Sequence, residues 1–316
     1  MIQFKGKALY NLLRSNWLQD PNIQVEPWQV EDYRSLQTHE LFDRLHVLGA
    51  ALNQESFLLY AESSDSPEEL LDCVCLEEED VKTQDRIYLL LFELWRRLLP
   101  KKRTFSIFCD ELDCRIDWYE KDLHAAEAAV QESLEELENI LDENVDLGAS
   151  PKEVFASLEG CWAHNIESFL YDYISSQIEQ GNDVYASELL DGFFDYVQDV
   201  KWFDFLRARL FTLSDAHAAN LMISGLLEQL EEEPDLELLL ELCAFLVHAG
   251  DPSLFIQAVK QALPLLQSEE DVRDLAWFVA EYFRCLDQES KAQELLQKHN
   301  VSEMRDALQN MQWNEV

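Results

Sequence analysis

The 316-residue chain has only 8 glycines and 8 prolines. So few exclude collagen-like and low-complexity sequence and argue against an all-β protein built on tight turns. Positive charge is scarce too: 24 Lys and Arg stand against 63 Asp and Glu, a formal net charge of −39. A surface of that sign is a poor partner for nucleic acid or an anionic membrane. Long apolar runs are missing, since charge-free stretches such as Ile87–Phe92 fall far short of the roughly 18 residues a spanning helix needs. The opening MIQFKGKALYNLL has neither a long apolar signal core nor a small-residue cleavage site. Seven cysteines, an odd number without a dense framework, read as reduced thiols. The expectation is a soluble cytoplasmic protein with no membrane partner and no direct nucleic-acid partner.

Apolar material is plentiful. Hydrophobic residues make up 47% of the chain and aromatics 11%, enough for a core, so the acidity is not that of a disordered tail. The charge is uneven. Residues 1–120 hold 13 basic and 23 acidic residues, and residues 121–316 hold 11 and 40. The change near Tyr119–Glu120 marks a candidate domain boundary.

Helical spacing of Ala8, Leu9, Leu12, Leu13 and Trp17 predicts a first helix over Phe4–Leu18, and residues 1–37 read as that helix plus an extended segment. A second helix follows from Thr38 to Leu52. Ser56–Ala61 and Leu70–Leu76 read as strands joined by a Ser/Asp/Pro turn. An apolar helix at Asp85–Leu99 precedes a β-hairpin, Thr104–Cys109 with Cys114–Tyr119, turning at Asp110–Asp113. Asp122–Leu141 is a Glu-rich helix with Ala126, Val130, Leu134, Leu137 and Leu141 on one stripe. The fold class expected is mainly α: an N-terminal α+β domain (38–142) with a small antiparallel sheet, then an acidic, solenoid-like helical-repeat region (150–316).

The helix–strand–strand–helix–strand–strand–helix order over 38–142, with its size and acidity, resembles the α/β fold of type III secretion chaperones. That resemblance implies a homodimer wrapping an extended segment of a client. The sequence departs from it between Leu76 and Asp85, where acidic residues stand in place of a third strand. An α+β domain of another kind fits the same order.

Beyond Ser150-Pro151 the chain reads as helices separated by short breaks, with a gap-free 36-residue period over about 200–300. Ala208, Ala244 and Ala280 coincide, as do Asp215, Asp251 and Asp287 and apolar triplets such as Leu206/Leu242/Phe278 and Ile223/Val259/Leu295. The alanines fit close helix crossings, and the aspartates fit inter-helix turns, where they can accept from free N–H groups. This unit resembles tetratricopeptide-like repeats, although their usual period is 34 and their Trp-Leu-Gly-Tyr pattern is not spelled out. A plain helical bundle is the other reading.

The resemblance implies a groove lined by the first helix of each hairpin. Its positions fall on Phe205, Arg209 and Thr212; Glu241, Phe245 and His248; and Trp277, Glu281 and Arg284. Aromatics among Arg and Glu suit a protein or peptide client, one of basic character included. The same aromatics equally suit an inter-repeat core.

Other constellations are weaker. Cys73, Cys75, Cys109 and Cys114 on neighbouring strands would be needed together for a zinc site, and ordinary buried thiols explain them as well. His124/Glu127 and His164/Glu167 share helix faces at a spacing of three but reverse the di-iron order. Arg96, Arg97, Lys101, Lys102 and Arg103 form the one basic cluster, suited to a helix C-terminus or to carboxylates. The sequence has no nucleophile elbow, Gly-rich phosphate loop or dinucleotide fingerprint. The expectation is therefore a non-enzymatic adaptor or client-binding chaperone, without cofactor or metal. An enzyme or metal protein with a site between helices, and an acidic nucleic-acid mimic, are the competing classes.

Overall fold

The computed structural model describes residues 3–75, 80–123, 126–146, 148–298, 300–311 and 313, and among them it has helices and no strand. The chain divides into two compact units, residues 1–169 and 170–316. The first holds α1 (Lys7–Gln19), α2 (Pro27–Val30), α3 (Thr38–Val47), α4 (Gln54–Ser63), α5 (Pro67–Val74), α6 (Val81–Leu98), α7 (Phe105–Glu120), α8 (Ala126–Asp146) and α9 (Pro151–Leu158). α10 (Ile166–Glu179) begins in it and runs on into the second.

The α+β domain expected over 38–142, with its antiparallel sheet, is overturned. Ser56–Ala61 lies inside α4, and Leu70–Leu76 begins inside α5, its last residue falling outside the described ones. Thr104–Cys109 and Cys114–Tyr119 both belong to α7, apart from the capping Thr104. The element order behind the secretion-chaperone resemblance is therefore gone. The physical reason is capping. Asn53 accepts from Ser56 N while Ser56 Oγ accepts from Asn53 N, a reciprocal box that starts α4. Ser66 accepts from Glu69 N ahead of Pro67, and Thr104 from Ile107 N. Residues that resemble turn breakers are helix starts.

α6 is the axis of the first core. Every residue from Ile87 to Trp95 is buried, and the helix packs against α3, α5 and the 3-10 turn Tyr33–Ser35. This central stretch of α6, apolar but for Glu93, is enclosed by its neighbours, and each buried Leu or Phe in it contributes about 2 kcal/mol. α8 shows the opposite pattern: its five-residue apolar stripe is buried against α7 and α9, while its 21 residues contain no Lys or Arg.

In the second unit α11 (Asp183–Phe193), α12 (Val200–Ser214), α13 (Ala216–Glu232), α14 (Leu236–Leu246), α15 (Pro252–Ala262), α16 (Glu269–Cys285), α17 (Glu289–Leu296) and α18 (Val301–Gln309) follow α10. α12 pairs with α13, α14 with α15 and α16 with α17; α13 also packs on α15, and α14 on α16. The starts of α12 and α14, Val200 and Leu236, stand 36 residues apart, as do those of α13 and α15, Ala216 and Pro252. Ala208 and Ala280 are fully buried and Ala244 is half-buried. Asp215 and Asp251 cap α13 and α15 by accepting backbone N–H groups. Asp287 takes a left-handed backbone (φ 59°), a conformation Asp tolerates in a tight turn. At Gly250 (φ 102°), before α15, an added Cβ would lie 2.5 Å from Leu246 Cδ2, so the turn requires glycine.

Candidate functional site

In the second unit α14 packs on α16, and side-chain contacts link α12 to both α10 and α14. Arg209 on α12 donates to Ser175 Oγ (2.6 Å) and Glu179 Oε1 (3.3 Å) on α10. Phe205 meets Phe245 across α12 and α14 edge to face, with centroids 5.6 Å apart. His248, just past α14, has its Nδ1 3.9 Å from Cys285 Sγ on α16.

The nine groove positions separate by role. Phe205 is 1% exposed and belongs to the core. Thr212 Oγ1 donates to Ala208 O of its own helix. Arg209 is mostly buried, holding α10. Phe245 is half-buried against the core, whereas Trp277 is 51% exposed, its ring edge-on to Phe278 at 5.6 Å. Glu281 and Arg284 pair at 2.9 Å, with Glu289 3.5 Å from the same guanidinium. Glu241 and His248 reach solvent.

Charge on this face is unbalanced. Crowding by its neighbours pushes the Glu241 carboxyl up; Arg209 opposes that shift, and Glu179 and Asp172 reinforce it. Asp172 is raised by the same loss of solvent. Burial, with Glu241 close by, also holds the Tyr171 hydroxyl far above its ordinary range. Three carboxylates therefore face one internally held guanidinium, and Trp277 on α16 adds an exposed ring. Such an arrangement can take a cationic side chain next to an apolar one.

Sequence reasoning missed the α10 side of this face. Tyr171 stacks edge to face on Trp202 at 4.9 Å, and Trp202 Nε1 donates to Asp235 Oδ2 (3.1 Å), whose other oxygen caps α14. The signal was present: carried back one period, the register aligns Leu170 with Leu206 and Ile174 with Leu210. Asp172 occupies the crossing-alanine position there, which hides the unit.

A second polar site, also unforeseen, lies within the first unit. α7 directs Asp110 and Asp113, both buried, toward α1, the Tyr33–Ser35 turn and the Trp162–Asn165 turn. Asp110 accepts from Arg34 and from Asn11 (3.0 Å), with Lys7 at 3.7 Å. Burial pushes its carboxyl up, but Lys7 and Arg34 outweigh that and hold it below the usual carboxylate range. Asp113 accepts from Ala163 N, His164 N and His164 Nδ1 at 2.9–3.1 Å. Burial lowers the His164 imidazole, yet its bonds to Asp113 and Asp117 prevail and lift it to about 10. His164 thus turns toward α7; His124 of the other His-x-x-Glu pair lies outside the described residues.

Four of the five residues of the basic cluster are engaged internally. Arg96 and Arg97 both donate to buried Glu93, and Arg97 also reaches the carbonyls of Tyr33, Arg34 and Leu36. Lys102 donates to Ala61 O (2.8 Å) and to Ser64 O, and Arg103 donates to Glu136 at 2.6 Å. Of the four cysteines weighed for zinc, Cys73 and Cys75 stand at the end of α5 and Cys109 and Cys114 on α7. No group of three or more metal-ligating side chains among the described residues includes any of them. Burial pushes the Cys109 thiol up, which makes it inert.

No helix of the described residues is long and apolar enough to cross a membrane. The chain matches no protein-family model, no curated protein and no solved structure.

Proposed function

We propose that the protein is a non-enzymatic interaction protein, an adaptor or client-binding chaperone, that captures a segment of another protein on the α10–α12–α14–α16 face. The observation that carries this reading is the exposed Trp277 ring on a face where Asp172, Glu179 and Glu241 outnumber Arg209. A large aromatic half in water suits an interface anchor. The hairpins with 36-residue spacing support a tetratricopeptide-like array, in which first helices line the ligand face. The carboxylate excess favours a basic client segment, with association sped by long-range attraction.

Affinity capture from the native host at physiological salt tests the reading. Full-length protein is run beside the double variant Trp277→Ala/Glu241→Gln. A stoichiometric partner held by the parent and lost by the variant, with melting unchanged, supports it. A partner held equally by both removes this face from the account.

A further inference from the structure

The polar site on α7 carries the donor set of a metal centre. Asp117 and Glu120 lie one turn apart near the end of α7, and the turn before α10 brings His164 to them. One donor atom from each of these three residues lies within 4.8 Å of the others, the one such group among the described residues. We propose that Asp117, Glu120 and His164 Nε2 bind a divalent transition-metal ion of the zinc or manganese kind, with Asp113 as the residue that positions His164.

The donor chemistry selects the ion class. One imidazole nitrogen with two carboxylates suits zinc or manganese, whereas magnesium and calcium prefer all-oxygen shells. The ring is already oriented for the task. Its Nδ1 lies 2.9 Å from Asp113 Oδ1, which leaves Nε2 on the side of Asp117, 3.5 Å from Oδ1. A carboxylate on the far nitrogen is the usual support of a metal-bound imidazole. Asp113 is itself fixed, being 4% exposed and bonded by Ala163 N, His164 N and Asn11 Nδ2. The imidazole therefore cannot turn without breaking a buried network.

The place is also reachable. Asp117, Glu120 and His164 line a cleft of about 270 Å³ that opens to solvent, with Lys7, Arg14 and Arg34 elsewhere on its wall. Zinc ligands at about 2.0–2.2 Å from the ion stand roughly 3.5 Å apart, and the exposed Glu120 side chain can swing the remaining ångström. Binding displaces the Lys121 ammonium, now 3.5 Å from Asp117, and the proton on Nε2. Three protein ligands leave a coordination position to water, as in open sites.

The test uses the full chain stripped with a chelator, then titrated calorimetrically and weighed by native mass spectrometry with Zn²⁺, Mn²⁺ and, as the all-oxygen control, Mg²⁺. The expected result is one Zn²⁺ or Mn²⁺ per chain at a saturable site that Mg²⁺ does not fill. Glu120→Gln should keep the melting curve of the parent and weaken that binding at least 10-fold, and Asp113→Asn should weaken it by about 10- to 100-fold. No saturable binding by the parent overturns the proposal. So does equal affinity in Glu120→Gln, or Mg²⁺ bound as tightly as Zn²⁺, either of which puts the ions on the diffuse acidic surface.

Discussion

Glu93 is a carboxylate inside the most apolar stretch of the chain, tolerated there because Arg96 and Arg97 both donate to it. Arg97 at the same time ties down three carbonyls of the Tyr33–Leu36 turn, so one acid organises two elements. Removing one partner of a buried pair leaves the other charged and unmatched. Glu93→Ala should therefore cost about 3–5 kcal/mol in denaturant unfolding; a loss under ~1 kcal/mol would show that the clamp does not hold the turn. Asp110 gives the pH counterpart. Its folded carboxyl titrates below the unfolded one, near 3.9. The stability it adds is complete above that value and is lost as pH falls through the folded value. Asp110→Asn should flatten the acid limb of stability against pH, and an unchanged limb would assign acid sensitivity to other carboxylates.

Among the elements, α12, α14 and α16 separate two kinds of aromatic that the sequence could not tell apart. Phe205 and Trp277 occupy equivalent-looking groove positions, but one is sealed against Phe245 and the other is half in water. Phe205→Ala should cost about 3–5 kcal/mol, while Trp277→Ala should leave the melting curve nearly where it was. Equal effects in thermal unfolding would overturn that division. The helical hairpins were legible from the 36-residue register because core positions repeat together with turn aspartates, of which Asp215 and Asp251 cap the next helix. α7 was not legible as a helix because Asp110 and Asp113 resemble a turn until Arg34 and His164 are seen to meet them across 76 and 51 residues. α4 was misread for a different reason: Phe57–Ala61 is apolar throughout, yet only Phe57 and Ala61 are buried, while Leu59 is 68% exposed. An apolar run too short to reveal its period fits either structure. The α7 cluster was half visible: His164 stood out through its spacing to Glu167, while Asp113 and Asp117 reach it only across about 50 residues of sequence.

For the whole molecule, charge is the dominant fact. The unit of residues 1–169 carries net −20 and that of residues 170–316 net −19, so the acidity belongs to both rather than to one tail. A basic client should therefore associate faster at low salt. Between ~0.1 M and ~1 M salt, where screening shortens from about 10 to about 3 Å, its association rate should fall steeply while dissociation changes less. Stopped-flow mixing with the captured partner measures both; a salt-independent on-rate would mean that the acidic surface does not steer. The place of binding is tested most directly by hydrogen–deuterium exchange of the full chain with and without that partner. Protection gathered on α12, α14 and α16, at the segments holding Arg209, Glu241 and Trp277, is the outcome expected. Protection confined to residues 3–169 would contradict the assignment of the helical face as the client site.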